Sequence, residues 1–345
     1  MRPSLRYGIL DLAAVGPGQT VREALSNTVA LAQHAEALGF ARVWYAEHHN
    51  LPSVASSAPA VLIAHVAAHT RTIRLGAGGI MLPNHAPLTI AEQFGTLEHL
   101  HPGRIDLGLG RAPGSDQTTF RALRRHPESA EAFPRDVQEL QAFLGDESRV
   151  PGVYANPGRG TNVPLFILGS SLFGASLAAA LGLPYAFASH FAPRSLEEAV
   201  ALYRREFSPS SQQKTPYVIA GLNLVAASTR EQAEAEFRVR KRAIAIALFG
   251  RGRALSDEAG EVLLESPAGQ QVEQMLSCAA VGTASEVKAA AETFAIRAQA
   301  DELIFTLGSP TLEGRLRSLD LFVQGIGPGP LAPHDQHADA SAARR

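Results

Sequence analysis

The sequence predicts an α/β protein built as a (β/α)8 barrel, with insertions after the fourth and seventh strands. Three observations carry this. Apolar runs of strand length alternate with segments of helical period eight times along the chain. The strand runs are apolar on both faces, as parallel strands covered by helices must be. Glycines and chemically active polar residues gather just after the strand runs, at the face where such barrels build their sites. A length of 345 residues with 46% hydrophobic content suits one large barrel.

In order, "LRYGIL" (Leu5–Leu10) reads as a buried strand, and Thr20–Phe40 follows with helical apolar spacing and Gly39 as a stop. "ARVWYAE" is the second strand and "SAPAVLIAHVAAHT" its helix; "TIRLGAGGIML" is the third, followed by helical "PLTIAEQFGTLEHLH". The fourth pair is "RIDLGLG" and "FPRDVQELQAFLG", the fifth "PLFILGSS" and "SLFGASLAAALG", the sixth "PYAFASHF" and "SLEEAVALYRREF". The seventh strand is "YVIAGLNLVAAS", with helix over Thr229–Phe249 and again near Glu258–Leu276. The eighth is "ELIFTLG", preceded by helical "SEVKAAAETFAIRA" and followed by "LEGRLRSLDLFVQG". Arg111–Pro134 and Arg251–Gly282 interrupt the alternation, and both are expected on the site face. One domain is expected over residues 1–326, with 327–345, rich in Pro, Gly and Ala, as a disordered tail.

A formal net charge of -2 gives no electrostatic case for nucleic acid or an anionic membrane, which leaves small molecules as the expected partners. "MRPSLRYGILDL" does not read as a signal peptide, and no run approaches the roughly 20 apolar residues of a membrane span. The single Cys278 permits no intramolecular disulfide, so a cytoplasmic, reducing location is expected.

The strand ends supply the candidate site. "YAEHHN" puts Glu47, His48, His49 and Asn50 after the second strand. Adjacent strand side chains point to opposite faces, and no HExxH is present, so no metal is expected; His65 and His69 have ligand spacing but lie on an outer helix with no carboxylate between them. His48 suits proton transfer, with Glu47 or Asn50 orienting it or its neighbour. "GLGRAPG" places Pro113 where a dinucleotide fingerprint needs its third glycine, but it presents Arg111, a bidentate donor, directly after Gly110. Gly169, Ser170 and Ser171 open a helix and offer N–H groups and hydroxyls to an anion, or simply an N-cap. Gly78 and Gly79 weaken a buried strand, which points to a planar ring pressed against its backbone or to tight packing. His190 and Phe191, and His85, are candidates for the substrate side.

These residues, in "GFARVWYAEHHN", "RLGAGGIMLPNHAPLTIAEQFGTLEHLHPGRIDLGLGRAPG", "PLFILGSS", "LGLPYAFASHF" and "VGTASEV", resemble the bacterial luciferase-like flavin-dependent monooxygenases, in their FMN-using branch, from about Leu5 to Gly325. The resemblance implies reduced FMN supplied by a separate flavin reductase, reaction with O2 at flavin C4a, oxygenation of a small organic substrate, and a homodimer. It implies His48 as the catalytic imidazole, Arg111 with Ser170 and Ser171 on the FMN phosphate, and a non-prolyl cis peptide at Gly78 and Gly79. An F420-dependent hydride-transfer enzyme and a non-catalytic flavin-binding barrel are the alternatives. Val61, Leu62 and Leu97 are a candidate dimer seam, which ordinary barrel packing explains equally well.

Overall fold

The computed structural model describes residues 5–16, 18–112, 116–250 and 255–327. The parts of the expected insertions at residues 113–115 and 251–254, and the expected tail beyond Gly327, lie outside them. Among the described residues there are nine strands: β1 (Arg6–Asp11), β2 (Arg42–Tyr45), β3 (Arg74–Met81), β4 (Ile105–Gly110), β5 (Leu165–Gly169), β6 (Tyr185–Phe187), β7 (Val218–Ala226), β8 (Ala279–Gly282) and β9 (Glu302–Leu307). Every pairing between them is parallel. The strands β1 to β7 follow one another round the ring, and β9 closes it between β7 and β1. The closed eight-strand barrel is the expected architecture.

The helices follow the strands: α1 (Val21–Ala37), α2 (Pro59–Ala67), α3 (Pro87–Leu100), α4 (Gln117–Ala122), α5 (Phe133–Leu144), α6 (Leu172–Leu181), α7 (Leu196–Glu206), α8 (Arg230–Phe249), α9 (Asp257–Leu264), α10 (Pro267–Met275), α11 (Ala284–Arg297) and α12 (Leu312–Ile326). Their starts are written locally. Thr20 and Glu23 close a capping box on α1, and Thr283 and Glu286 do the same on α11, each satisfying otherwise orphaned N–H groups. The long connections after β4 and β7 hold α4 with α5, and α8 to α11.

Strand side chains alternate between two apolar compartments. Leu10, Trp44, Phe166, Ala186, Ile219 and Ile304, from six strands, pack together inside the barrel. The outward set, with Ile9, Val43, Leu75, Leu107, Ile167 and Phe305, packs under the helices in the main core.

Two expectations are corrected, and a third, left open, is narrowed. A ninth strand, β8, was not anticipated; it pairs in parallel with the end of β7 through Asn223 to Ala226. Its four residues alternate between half-buried and buried, too short a pattern to stand out in sequence. The candidate dimer seam is not a surface stripe, because Leu62 and Leu97 are 6% and 3% exposed and belong to the core, leaving Val61 alone outside. For the β3 glycines, of the two readings left open, the structure shows close packing in the Cβ direction. A Cβ on Gly78 would lie 2.8 Å from Trp44 Cβ and 2.9 Å from Leu10 Cδ1, and one on Gly79 would lie 2.7 Å from the Gly108 oxygen. They let β3 press against its neighbours where its register with β4 shifts between Ala77 and Ile80.

Candidate active site

The strand termini converge as expected, but the polar groups sort themselves differently. Glu47, two residues past β2, is fully buried. Its carboxylate is bonded to His49 Nε2 at 2.9 Å, to His85 Nε2 at 2.9 and 3.0 Å, to the Met81 N–H at 3.0 Å and to Asn84 Nδ2 at 3.2 Å. Burial alone would raise its pKa; hydrogen bonding and charge from His85, then the bonds from His49 and Met81, hold it below the ordinary glutamate value. Glu47 therefore fastens the end of β2 to the turn after β3. Of the two neighbours it was expected to orient, it takes His49 and not His48.

His85, a candidate on the substrate side, turns its Nε2 to this carboxylate. Asn50 does not orient His48 by its amide: it is exposed, takes a left-handed φ of 57° and reaches Asp116 at 3.4 Å. His48 is half-buried, with its N–H donating to the Ser56 carbonyl at 3.4 Å.

Across the mouth, His190 follows β6 and lies against β7. A Cβ on Gly221 would fall 2.3 Å from its Nδ1, so glycine is what admits the ring there. Its Nδ1 is buried with no hydrogen-bond partner. Burial first, then the charges of Arg240 and His48, depress its pKa to about 3. His48 and His190, from opposite parts of the ring, thus share one electrostatic environment, and His190 stays neutral there. Phe191 is half-exposed, sits edge-on to His190 at 5.2 Å, and shares an open groove with Ser170.

The two halves of the expected anion site meet. Arg111, directly after β4, stacks its guanidinium over the Phe173 ring at 4.0 Å, and Phe173 is the second residue of α6. Ser171 is the N-cap of that helix with extended backbone, yet its side chain makes no capping bond. The first-turn N–H groups of α6 are therefore not closed off by their own cap, beside an arginine held by a neighbouring ring. Gly169 packs near Gly174 and the Tyr185 hydroxyl, which donates to the Ser171 carbonyl at 3.0 Å and fixes the helix start; Gly110 packs against the Met81 side chain. The Gly78–Gly79 peptide bond is cis, as the resemblance implied.

His69 Nδ1 lies 2.8 Å from the His65 carbonyl on the outside of the barrel, and among the described residues no group of three or more His, Cys, Asp or Glu side chains is placed to hold a metal. Sequence reading did not single out Arg240 or Arg315, which lie on helices and outside any motif.

A family model described as luciferase-like monooxygenase matches residues 5–300. A luciferase-like monooxygenase of Escherichia coli K12 is 44% identical over 321 residues, covering 92% of this chain and 96% of that protein. An N-acetyl-S-alkylcysteine monooxygenase of Bacillus subtilis is 38% identical, covering 67% of this chain and 70% of that protein. Among solved structures, apo-MsnO8 superposes with a TM-score of 0.86 at 31% identity, covering 96% of this chain and all of its own. The FMN-bound oxygenating component of a 3,6-diketocamphane monooxygenase from Pseudomonas putida shares the fold at a TM-score of 0.72 and 15% identity, covering 96% of this chain and 100% of its own. With a family model spanning most of the barrel and a relative matched over nearly its whole length, the chain belongs to the luciferase-like monooxygenase family.

Proposed function

We propose that this protein is an FMN-dependent monooxygenase that binds reduced FMN, made by a separate reductase, and uses O2 to oxygenate a small organic substrate. The family takes flavin or F420 cofactors. The observation that carries the FMN reading is the meeting of Arg111 with the uncapped N-terminus of α6. A planar fork of donors beside converging backbone N–H groups fits a terminal phosphate dianion. The residues present therefore fit the cofactor, with Arg111, Ser170 and Ser171 on its phosphate and the Gly78–Gly79 backbone beside its ring.

Bound reduced FMN would supply the two electrons that let one atom of O2 enter the substrate while the other leaves as water. The chain's own contribution lies around it. His48 holds or passes a proton at a ring nitrogen on the substrate side of the mouth, and Glu47 keeps the β2 end in place by fixing His49 and the turn at His85. His190, neutral through burial and its charged neighbours, adds a polar but uncharged wall. Dimerisation is what the resemblance implies, and a cytoplasmic location is what the single cysteine implies; among the described residues no helix is long and apolar enough to cross a membrane.

Anaerobic titration with reduced and oxidised FMN, followed by rapid mixing with oxygenated buffer, tests this. Tighter binding of the reduced form and return of flavin absorbance slower than for free FMN are expected. Equal affinity for both forms, together with reoxidation at the free-flavin rate, would overturn it.

A further inference from the structure

Two arginines beside the end of β9 have no ion pair among the described residues. Arg240, on α8, runs its stem along the end of β9, where a Cβ on Gly308 would lie 3.1 Å from its Cδ. Its Nε is buried without a hydrogen-bond partner, and among the described residues no carboxylate pairs with it. The acid one turn back on the same helix, Glu236, gives Oε1 to Arg317, while its Oε2 is buried without a hydrogen-bond partner. Arg315 is 6% exposed; its Nε makes one long bond, 3.4 Å, to the Thr311 carbonyl, and it has no ion pair among the described residues. It also occupies the first turn of α12, where the helix dipole opposes a cation. Burial first, then the charge of Arg315, lowers the Arg240 pKa to about 10.

A buried cation such as Arg315, and a half-buried one such as Arg240 with its Nε buried, cost stability when unpaired unless something compensates them, and fixed guanidinium forks match carboxylate or sulfonate oxygens. The position is telling. Arg240 lies against Gly308, just past β9, and Arg315 stands in the first turn of the helix that follows, so both belong to the C-terminal end of the barrel that also carries His48 and His190. The pair lies by β7 and β9, round the ring from the Arg111 phosphate side at β4 and β5.

We propose that Arg240 and Arg315 form an anion subsite that holds a carboxylate or sulfonate of the substrate, so that the molecule oxygenated is an organic acid. The assignment of the anion to the substrate rests on the monooxygenase reading above, whereas the anion subsite itself does not.

The test is calorimetric titration of the full chain with butanesulfonate, butyrate and 1-butanol, for wild type and for Arg240→Met, Arg240→Lys, Arg315→Gln and Arg111→Gln, with FMN affinity measured in parallel. Wild type is expected to bind at least one anion at a Kd of about 1 mM and the alcohol at least about tenfold more weakly. Arg240→Met and Arg315→Gln should each weaken anion binding by about tenfold or more, Arg240→Lys should restore part of it, and Arg111→Gln should leave it unchanged while reducing FMN affinity. Arg240→Met should melt no lower than wild type, since it removes an uncompensated buried charge. The proposal is overturned if neither anion binds better than the alcohol, or if Arg240→Met binds both as wild type does. Loss of FMN binding with anion binding intact defeats the cofactor reading and leaves the subsite standing; the reverse result defeats the subsite alone.

Discussion

Arg111 is exposed and held by one ring, so its contribution is to a ligand more than to the fold. Arg111→Gln is expected to reduce the affinity for FMN by about tenfold or more, the loss of a charge-assisted contact, while stability moves by no more than about 0.5 kcal/mol. Paired flavin titration and thermal melting check both. His190 gives the opposite balance. Its folded pKa, near 3, lies well below the ordinary histidine value, so the unfolded chain binds the proton more readily. The stability that His190 contributes is present above about pH 6.5 and is lost as pH falls from there toward 3. Between pH 6.5 and 5, above the range where most carboxylates titrate, wild type should lose up to roughly 1 kcal/mol per pH unit more than His190→Gln. Urea unfolding at three pH values in that window decides it; parallel curves would mean that the ring accepts its proton in the folded state.

The third and fourth strands are joined by absence of side chains as much as by presence. A Cβ on Gly108 would sit 2.3 Å from the Ala77 carbonyl and 2.6 Å from Leu168 Cδ1, and the first of these is backbone that cannot step aside. Gly108→Ala is therefore expected to cost about 3 kcal/mol by overpacking and to loosen the β3 end that carries the cis bond, measured by chemical denaturation and by flavin titration. Such glycines show what a sequence discloses and what it withholds. Their presence in "GAGGIM" and "GLG" announces a close approach, but not whether a ring or another strand makes it; here the neighbouring strand fills the Cβ direction. The barrel itself was legible because the strands are apolar on both faces and several helix starts carry a cap, as at Thr20 and Glu23. The candidate site was legible where a single strand end held a polar group, as at Glu47 and His48, at Arg111 and at Ser171. It was not legible where partners come from afar: His85 meets Glu47 across 38 positions, and Arg240 and Arg315 occupy helices whose periodicity only marks them as polar.

Across the molecule, charge is divided between the two ends of the barrel. At the N-terminal ends of the strands, opposite the mouth, Arg42 joins Asp106 at 2.5 Å and Glu302 at 2.8 Å, Arg74 reaches Asp106 at 2.6 Å, and Trp44 Nε1 donates to Asp106 at 3.0 Å. Tyr217 completes the set with a 2.8 Å bond to Glu302. Asp106 is fully buried; desolvation would raise its pKa, but the charges of Arg42 and Arg74 and the bonds from Arg74 and Trp44 keep it below the usual aspartate value. Four strands are tied by this network, through β2, β3, β4 and β9. Both arginines of this network have an acid, whereas among the described residues Arg240 and Arg315 have no ion pair. In barrels of this kind the end away from the site serves stability and the mouth serves ligands. Asp106→Ala would strand Arg42 and Arg74 without their shared acceptor, and a loss of about 3–5 kcal/mol is expected. Because the change lies at the far end, the protein that remains folded should keep its FMN affinity within about twofold, and likewise its affinity for the small anions, an expectation that rests on additivity between distant sites. Denaturant unfolding alongside flavin titration on the refolded fraction measures both. A drop in flavin affinity in step with stability would show that the two ends are mechanically coupled through the strands, and that the mouth does not hold its geometry independently of the network beneath it.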